Sequence, residues 1–160
     1  MKHIAYIGLG ANLGNPQVTL RAAALALAAF PGTSVSACSS HYRSAPIDAD
    51  GDDYVNAVVQ LETILTPIEL LGALQALEQQ FGRERSYLNA PRTLDLDLLL
   101  YDEQILNTVT LQIPHPRMSQ RAFVILPLLE LNDSIAIPNI GLASTLVKTL
   151  QNQRISKITQ

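Results

Sequence analysis

The run Leu94-Asp95-Leu96-Asp97-Leu98 alternates leucine with aspartate, and this alternation restricts how the segment can fold. In a β-strand, residues two apart share one face at a spacing of about 6.5–7 Å. In a helix such residues do not face the same way. We therefore predict a strand over Thr93–Tyr101 in which the leucines enter the core and Asp95 and Asp97 share the opposite face.

Two carboxylates on one face of a strand repel each other, and a cation bound between them relieves the repulsion. Mg²⁺ prefers hard oxygen ligands of this kind, and it commonly shares its coordination shell with phosphates and water. The alternative is a solvated face on which Asp95 and Asp97 bind nothing. Both interpretations are compatible with the alternation alone.

Basic residues flank this strand, and they comprise five of the eleven lysines and arginines of the chain together with one histidine. They are Arg83, Arg85 and Arg92 before the strand and His115, Arg117 and Arg121 after the next predicted strand. Arginines beside a magnesium–carboxylate pair suit a polyphosphate, because they neutralise the charge that moves during transfer. For any one of them, a solvated loop position is the alternative.

The predicted elements follow the order β-α-β, β-α, β-β-α and a short tail. The predicted strands are His3–Leu9, Val35–Tyr42, Tyr54–Thr63, Thr93–Tyr101, Ile105–Ile113 and Ile135–Ile137. Helices are predicted over residues 16–30, 67–82, 119–131 and 142–151, and long loops over 44–53 and 83–92. This order favours a single α+β domain over residues 1–160, a ferredoxin-like sandwich with a mainly antiparallel sheet.

Two segments carry clear local signals. Tyr54–Thr63 alternates strictly, which predicts one thoroughly buried face carrying Val55, Ala57, Val59 and Leu61. Thr66-Pro67-Ile68-Glu69 is a capping box with proline at the first helical position. The apolar stripe predicted for the helix that follows is Ile68, Leu71, Leu74, Leu77 and Phe81.

The composition excludes several classes of protein. With 48% hydrophobic and 16% charged residues, the chain can fill a core. The net charge of -3 argues against a protein that coats nucleic acid. No apolar run approaches the roughly 18 residues needed to cross a bilayer, and the N-terminus lacks the apolar core of a signal peptide. The one cysteine cannot form an internal disulfide, and we expect a cytoplasmic protein without membrane or nucleic-acid partners.

Two further features have both a functional and a structural interpretation. Gly8–Gly14 is similar to a phosphate cradle before a helix, but it matches no established nucleotide motif, and a tight strand-to-helix turn is the favoured interpretation. Tyr54 and Asn56, on the less apolar face of their strand, would provide a stacking surface and an amide for a heterocycle edge, or would simply be half-exposed. Phe123 is predicted to lie in the core.

Four stretches, taken in chain order, carry a family resemblance. They are Gly8–Gly14; Tyr42–Pro46 with Tyr54–Ala57; Ala90–Asp97; and Pro114–Met118 continuing through Arg121–Phe123. Together they resemble the 6-hydroxymethyl-7,8-dihydropterin pyrophosphokinase family of folate biosynthesis. The resemblance implies a ferredoxin-like, monomeric enzyme whose partners are ATP and a reduced pterin. It also implies the reaction, in which the hydroxymethyl oxygen of the pterin attacks the β-phosphorus of ATP and AMP leaves.

The resemblance further implies the roles of the site residues. Asp95 and Asp97 would hold two Mg²⁺ ions along the triphosphate, and Arg83 and Arg92 would be loop cations that act in transfer and product release. The implied nucleotide contacts are Gln75, Glu78, Arg85, Arg92, Leu98, His115 and Arg121. The implied pterin contacts are Ser44, Pro46, Ile47, Tyr54, Asn56 and Phe123, with the pterin stacked between the two aromatic rings.

Two alternatives stay open. A non-catalytic ligand-binding domain on a ferredoxin-like scaffold would not need Asp95 and Asp97, and it would bind ATP without Mg²⁺. A different Mg²⁺-dependent enzyme, such as a nucleotidyltransferase or a nuclease, would attach AMP to its product or cleave nucleic acid instead of releasing free AMP.

Overall fold

The computed structural model describes residues 1–45, 53–82 and 94–159. Within these ranges the strands are β1 (His3–Ala11), β2 (Thr33–Cys38), β3 (Tyr42–Ser44), β4 (Tyr54–Thr63), β5 (Asp95–Tyr101), β6 (Leu106–Asn107), β7 (Gln112–Ile113), β8 (Ala136–Ile137), β9 (Gly141–Leu142) and β10 (Ile155–Lys157). The helices are α1 (Pro16–Ala28), α2 (Pro67–Gly82) and α3 (Ala122–Leu131), with 3₁₀ helices at Met118–Gln120 and Ala143–Leu150. The predicted ferredoxin-like α+β sandwich is confirmed.

The central sheet has six antiparallel strands in the order β10-β3-β4-β1-β5, and β2 pairs with β4 beside β3. The long strand β4 therefore has β1 along one edge and the shorter β3 and β2 in succession along the other. The strand β1 lies between β4 and β5, inside the sheet. In the described part of the chain, no helix combines the length and apolarity needed to cross a bilayer.

The prediction of one strand over Val35–Tyr42 is wrong, because the strand stops at Cys38 and resumes at Tyr42. Ser39 interrupts it. Its N–H donates to the carbonyl of Val58, and its hydroxyl accepts from the N–H of Val58, both at 2.9 Å. The hydroxyl of Ser39 therefore stands in for a backbone acceptor in the pairing with β4. Short polar side chains commonly compete with backbone partners in this way.

Helices cover both faces of the sheet. The helices α1 and α2 pack on one face, with Leu20, Leu61 and Leu74 almost fully buried between them and the strands. The helix α3 packs on the other face against β4, where Val58 and Ile125 are fully buried. The predicted buried face of β4 is confirmed, and on the second face Asn56 and Val58 are buried as well, where α3 packs against the strand.

The capping box of α2 is confirmed, and the predicted stripe is confirmed in part. The N–H of Thr66 donates to Glu69 Oε1 at 2.9 Å, and the N–H of Glu69 donates to Thr66 Oγ1 at 3.2 Å. Leu70 is fully buried, whereas Ile68 is 55% exposed. The side chains of Leu70, Leu74 and Leu77 therefore face the sheet. The capping box specifies where the helix begins, but not which of its faces packs on the sheet.

The predicted hairpin between β5 and Ile105–Ile113 is wrong. That segment folds back on itself, with β6 paired to β7 and the turn closed by Thr108, whose hydroxyl accepts from the N–H of Leu111 at 3.0 Å. At the other end of the chain, the predicted helix over 142–151 is the 3₁₀ helix Ala143–Leu150. The strand β10 was not predicted, because its identity depends on pairing with the distant β3.

A carboxylate on α3 ties that helix to the sheet edge. Glu130 accepts hydrogen bonds from the N–H of Ser40 at 3.0 Å and from the hydroxyl of Tyr42, and the Lys157 ammonium lies 3.9 Å away. Burial alone would raise the pKa of Glu130, but these three partners outweigh it and hold the pKa below its usual 4.5. Burial and the same carboxylate raise the pKa of Tyr42.

Glu130→Gln should flatten the acid limb of the stability profile. A carboxyl whose pKa is depressed on folding stabilises the protein fully above its unfolded pKa, and this contribution disappears as the pH falls through the lower folded value. Urea denaturation between about pH 7 and about pH 3 should show a smaller loss of unfolding free energy in the variant than in the wild type. Glu103→Gln, in the turn after β5, is the control and should keep the wild-type slope; equal slopes in all three proteins would contradict the assignment.

Candidate active site

A groove of about 590 Å³ opens over β1, β4 and β5 between α2 and α3, a volume suited to small-molecule ligands. The central strands β1, β4 and β5 form its floor. Residues from α2 line one wall, and the end of β3 together with the first turn of α3 lines the other. The groove therefore gathers residues from widely separated parts of the sequence.

Two glycines leave the floor of the groove open. Gly10 lies in β1 between Asn56 of β4 and Asp95 of β5, and Gly8 lies opposite Asp97. A Cβ atom at Gly10 would stand 3.0 Å from Nδ2 of Asn56. The prediction of a tight turn is therefore wrong for Gly8 and Gly10, which belong to a central strand.

Asp95 and Asp97 share one face of β5, as predicted, and both line the groove. Two cationic or titratable side chains approach Asp97. Arg121 Nη1 lies 3.7 Å from Oδ2, and His115 Nε2 lies 3.9 Å from Oδ1. Asp97, on an edge strand, thus has two partners from the segment that precedes α3.

The donor set around this pair fits magnesium better than a transition metal. Among the described residues, no group of three or more histidine, cysteine, aspartate or glutamate side chains could hold a metal ion. Mg²⁺ needs fewer protein ligands, since one or two carboxylates commonly hold it together with substrate phosphates and water. Asp95 and Asp97 above the glycine floor meet that requirement.

The ring of His115 is oriented by the backbone. Its Nδ1 accepts a hydrogen bond from the N–H of Arg117 at 3.1 Å, so the neutral ring carries its proton on Nε2, which faces Asp97. Burial lowers the pKa of His115; Asp97 opposes that effect, and Arg121 and Arg117 reinforce it. The net direction is downward from the usual 6.5, so at neutral pH the ring is an uncharged donor.

The opposite end of the groove has the features of a site for a flat, polar ring. Tyr54 and Phe123, both half-buried, line it. Ser44 Oγ donates to Oδ1 of the buried Asn56 at 2.7 Å, and this bond turns Nδ2 of the amide over Gly10. The sequence-only prediction that Phe123 is a core residue is confirmed in part, because its half-buried side chain packs against the core beneath α3 and also borders the groove. The Arg121 guanidinium lies 5.5 Å from the ring centroid.

Most of the predicted site residues that the structure describes meet in this groove. They are Ser44, Tyr54, Asn56, Gln75, Glu78, Asp95, Asp97, His115, Arg121 and Phe123. Leu98 does not line it, since its side chain is buried in the core beneath α1 and α2, as the alternation of β5 requires. Pro46, Ile47, Arg83, Arg85 and Arg92 lie outside the described residues.

Hydrogen bonds to β5 hold two walls of the groove in place. Glu78 Oε2 on α2 accepts from the N–H of Leu96 at 2.8 Å, and the N–H of His115 donates to the carbonyl of Leu99 at 2.9 Å. Leu71 is among the wall residues that sequence reasoning missed, because it was assigned to the apolar stripe of α2. The rotation of α2 that buries Leu70 is what turns Leu71 to the groove.

Comparison with known proteins gives consistent results. A family model described as 7,8-dihydro-6-hydroxymethylpterin-pyrophosphokinase matches residues 6–133. The chain is 42% identical over 155 residues to the 2-amino-4-hydroxy-6-hydroxymethyldihydropteridine pyrophosphokinase of Haemophilus influenzae, covering 96% of this chain and 97% of the relative. It is 44% identical over 135 residues to the Pseudomonas aeruginosa protein of the same name, covering 84% and 83%.

The fold is also similar to that of solved structures. A wild-type Plasmodium falciparum HPPK-DHPS crystal structure with pteroate superimposes with a TM-score of 0.74 at 14% identity, over 93% of this chain. Another HPPK-DHPS structure, in complex with substrates, gives a TM-score of 0.72 at 13% identity. The chain spans less than half of each of these longer proteins, 42% and 43%. At such identities the similarity establishes the fold alone.

Titration of His115 by nuclear magnetic resonance should reveal its surroundings. The midpoint of the ring proton shift should lie below about 6.5 in the wild type. Asp97→Asn should lower the midpoint further, because the carboxylate favours the charged ring, and Arg121→Gln should raise it. Asp133→Asn removes an equal charge from a residue that does not line the groove, and it should leave the midpoint unchanged; an upward shift in Asp97→Asn would contradict this geometry.

Proposed function

Because the chain belongs to the 7,8-dihydro-6-hydroxymethylpterin-pyrophosphokinase family, it is a pyrophosphokinase of folate biosynthesis, and we propose that the groove is where its reaction takes place. The enzyme transfers diphosphate from ATP to the hydroxymethyl group of 6-hydroxymethyl-7,8-dihydropterin. The hydroxymethyl oxygen bonds to the β-phosphorus, the bond from that phosphorus to the oxygen bridging it to the α-phosphorus breaks, and AMP leaves with that oxygen. The hydroxyl proton is released.

One observation carries the proposal, and it is the register of three neighbouring strands. Asp95, Gly10 and Asn56 lie side by side across β5, β1 and β4. Adjacent strands are about 4.8 Å apart, so the carboxylate and the amide start from backbones roughly 10 Å apart, with no side chain between them. A phosphate-binding end and a heterocycle-binding end are thereby joined across a short open floor.

Asp95 and Asp97 form the phosphate end. We assign them the role of holding two Mg²⁺ ions, which would neutralise the negative charge of the ATP phosphates. Arg121 and His115 lie 3.7 Å and 3.9 Å from the carboxylate of Asp97. Since phosphoryl transfer depends on positioning and charge neutralisation, these residues need no covalent role.

Donors and acceptors on the two walls would bind the nucleotide. Arg121 contributes a fixed positive charge, and neutral His115 offers its Nε2–H. Gln75 and Glu78 of α2 line the opposite wall. We assign Arg85 to the nucleotide as well, and Arg83 and Arg92 to transfer and product release, on the strength of the resemblance. Leu98 is left out of the nucleotide contacts because its side chain is buried in the core.

Tyr54 and Phe123 would bind the two faces of the pterin by stacking. The amide of Asn56 would pair with the polar edge of the pterin, and Ser44 would fix its orientation through the bond to Oδ1. Pro46 and Ile47 complete the pterin contacts that we propose. Burying a ring between two aromatic side chains excludes water, which would otherwise compete for the phosphorus.

We further propose that residues 1–160 form one pyrophosphokinase domain that acts as a cytoplasmic monomer. The described residues of this one chain already form the groove. The chain has a single cysteine, Cys38, which is compatible with a reducing compartment.

Phosphorus NMR tests both the reaction and the metal site. With ATP, Mg²⁺ and the pterin, the wild type should produce free AMP and a new pterin diphosphate, and omission of the pterin or the metal should leave ATP unchanged. Asp97→Asn should lower the rate by at least about 100-fold, because a metal ligand contributes several kcal/mol to charge stabilisation. Asp133→Asn is the matched control and should retain the wild-type rate.

Other products would identify the alternatives. AMP attached to the product would indicate a nucleotidyltransferase, and ATP bound without Mg²⁺ and never consumed would indicate a binding domain. Full activity in Asp97→Asn would refute the metal site while leaving the reaction intact.

Substitution of Tyr54 tests the pterin end separately. Tyr54→Ala should weaken pterin binding roughly tenfold or more, the usual effect of losing a stacked aromatic ring, and should leave nucleotide affinity nearly unchanged. Tyr54→Phe keeps the ring and should retain most of the pterin affinity. Calorimetric titration with each ligand measures both values, and an equal loss of both in Tyr54→Ala would point to a damaged fold.

A further inference from the structure

The first turn of α3 is held by a residue from a distant part of the chain. The N-cap residue, Arg121, makes no side-chain cap hydrogen bond. The N–H of Ala122 instead donates to Oε1 of Gln153 at 2.9 Å, and Nε2 of Gln153 donates to the carbonyl of Gln120 at 2.7 Å. The two bonds therefore hold the residues immediately before and after Arg121.

Arg121 is a junction residue whose position depends on its neighbours. Its backbone is extended, with φ −120° and ψ 109°, between the 3₁₀ helix Met118–Gln120 and α3. The early N–H groups of a helix have no partner inside the helix, so an outside acceptor is what fixes Ala122. A small rotation at this junction would move the guanidinium, which lies 3.7 Å from Asp97.

The same segment also contacts the end of β3, which forms the rest of this wall of the groove. The carbonyl of Arg154 accepts from the N–H of Ala45 at 3.2 Å, and Ile155 pairs with Ser44 in the sheet. Residues 153–155 therefore connect the strand that carries Ser44 to the helix that carries Phe123. We call these three residues the C-terminal clamp. A cavity of about 150 Å³ between the end of β3 and the first turn of α3 is lined partly by the clamp.

We propose that Gln153 is a positioning residue for the reaction, which acts by holding Arg121 and Phe123 in place at the groove. The proposal rests on the function proposed for the groove. Gln153 itself does not line the groove. Its amide is suited to the task because one side chain supplies both the acceptor for Ala122 and the donor for Gln120.

The test compares three variants of similar side-chain length. Gln153→Met removes both hydrogen bonds, Gln153→Glu keeps the acceptor and loses the donor, and Gln151→Met makes the same change at an exposed neighbour. We expect Gln153→Met to lower kcat/KM roughly tenfold through raised KM values for ATP and pterin, the size expected when a buried donor loses its partner. Gln153→Glu should fall between Gln153→Met and the wild type, and Gln151→Met should match the wild type.

A double-mutant cycle separates positioning from general stability. If Gln153 acts on the nucleotide through Arg121, Gln153→Met should weaken ATP binding much less in the Arg121→Ala background than in the wild type. A purely structural role would give additive effects on ATP affinity. Unchanged ATP and pterin affinities in a folded Gln153→Met protein would overturn the proposal. If that variant does not fold, unchanged affinities in Gln153→Glu would do so.

Amide hydrogen exchange of Ala122 tests the C-terminal clamp without any measurement of turnover. In the free protein, exchange at Ala122 should accelerate in Gln153→Met and stay near the wild-type rate in Gln153→Glu and Gln151→Met. A wild type that produces no pterin diphosphate would refute the proposed function. Unchanged exchange at Ala122 in Gln153→Met would refute the clamp, whatever the activity.

Discussion

The site depends on the alternation within β1, the strand between β4 and β5. Ile7 and Leu9 point into the core beneath α1 and α2, while Gly8 and Gly10 face the groove. Glycine in a strand costs about 0.5–1 kcal/mol relative to alanine. The packing of the intervening apolar residues, Ile7 and Leu9, offsets this cost. The result is a stretch of backbone without side chains, which leaves room for a ligand over the centre of the sheet.

The charged side of the groove is built at the sheet edge formed by β5. An edge strand leaves backbone groups without ladder partners. Here α2 and the segment before α3 supply partners through Glu78 and His115, and these same residues line the groove. The hydrogen bonds that protect the edge thereby also set where the acidic pair, the imidazole and the Arg121 guanidinium lie relative to one another.

Local patterns predicted those parts of the molecule whose structure is determined locally. The leucine–aspartate alternation placed both carboxylates on one face, and the capping box placed the start of α2. The break at Ser39, the strand β10 and the position of Gly8 and Gly10 inside β1 depend on partners far away in sequence, and periodicity carries no information about those partners. The prediction for Phe123 is limited in the same way, since an apolar residue at the start of a helix is predicted to lie in the core until the neighbouring groove is known.

The pairing of β10 with β3 joins Ile155 to Ser44 across about 110 residues of chain. Contacts of such long range form late, because closing the loop costs conformational entropy before the contact contributes any stability. During synthesis on the ribosome, the strand that carries Ser44 emerges early and waits for its outer neighbour until nearly all of the described chain has been made. A nascent chain can thus have most of its core in place while one wall of the groove still lacks support, so the capacity to bind ligand is acquired at the end of folding.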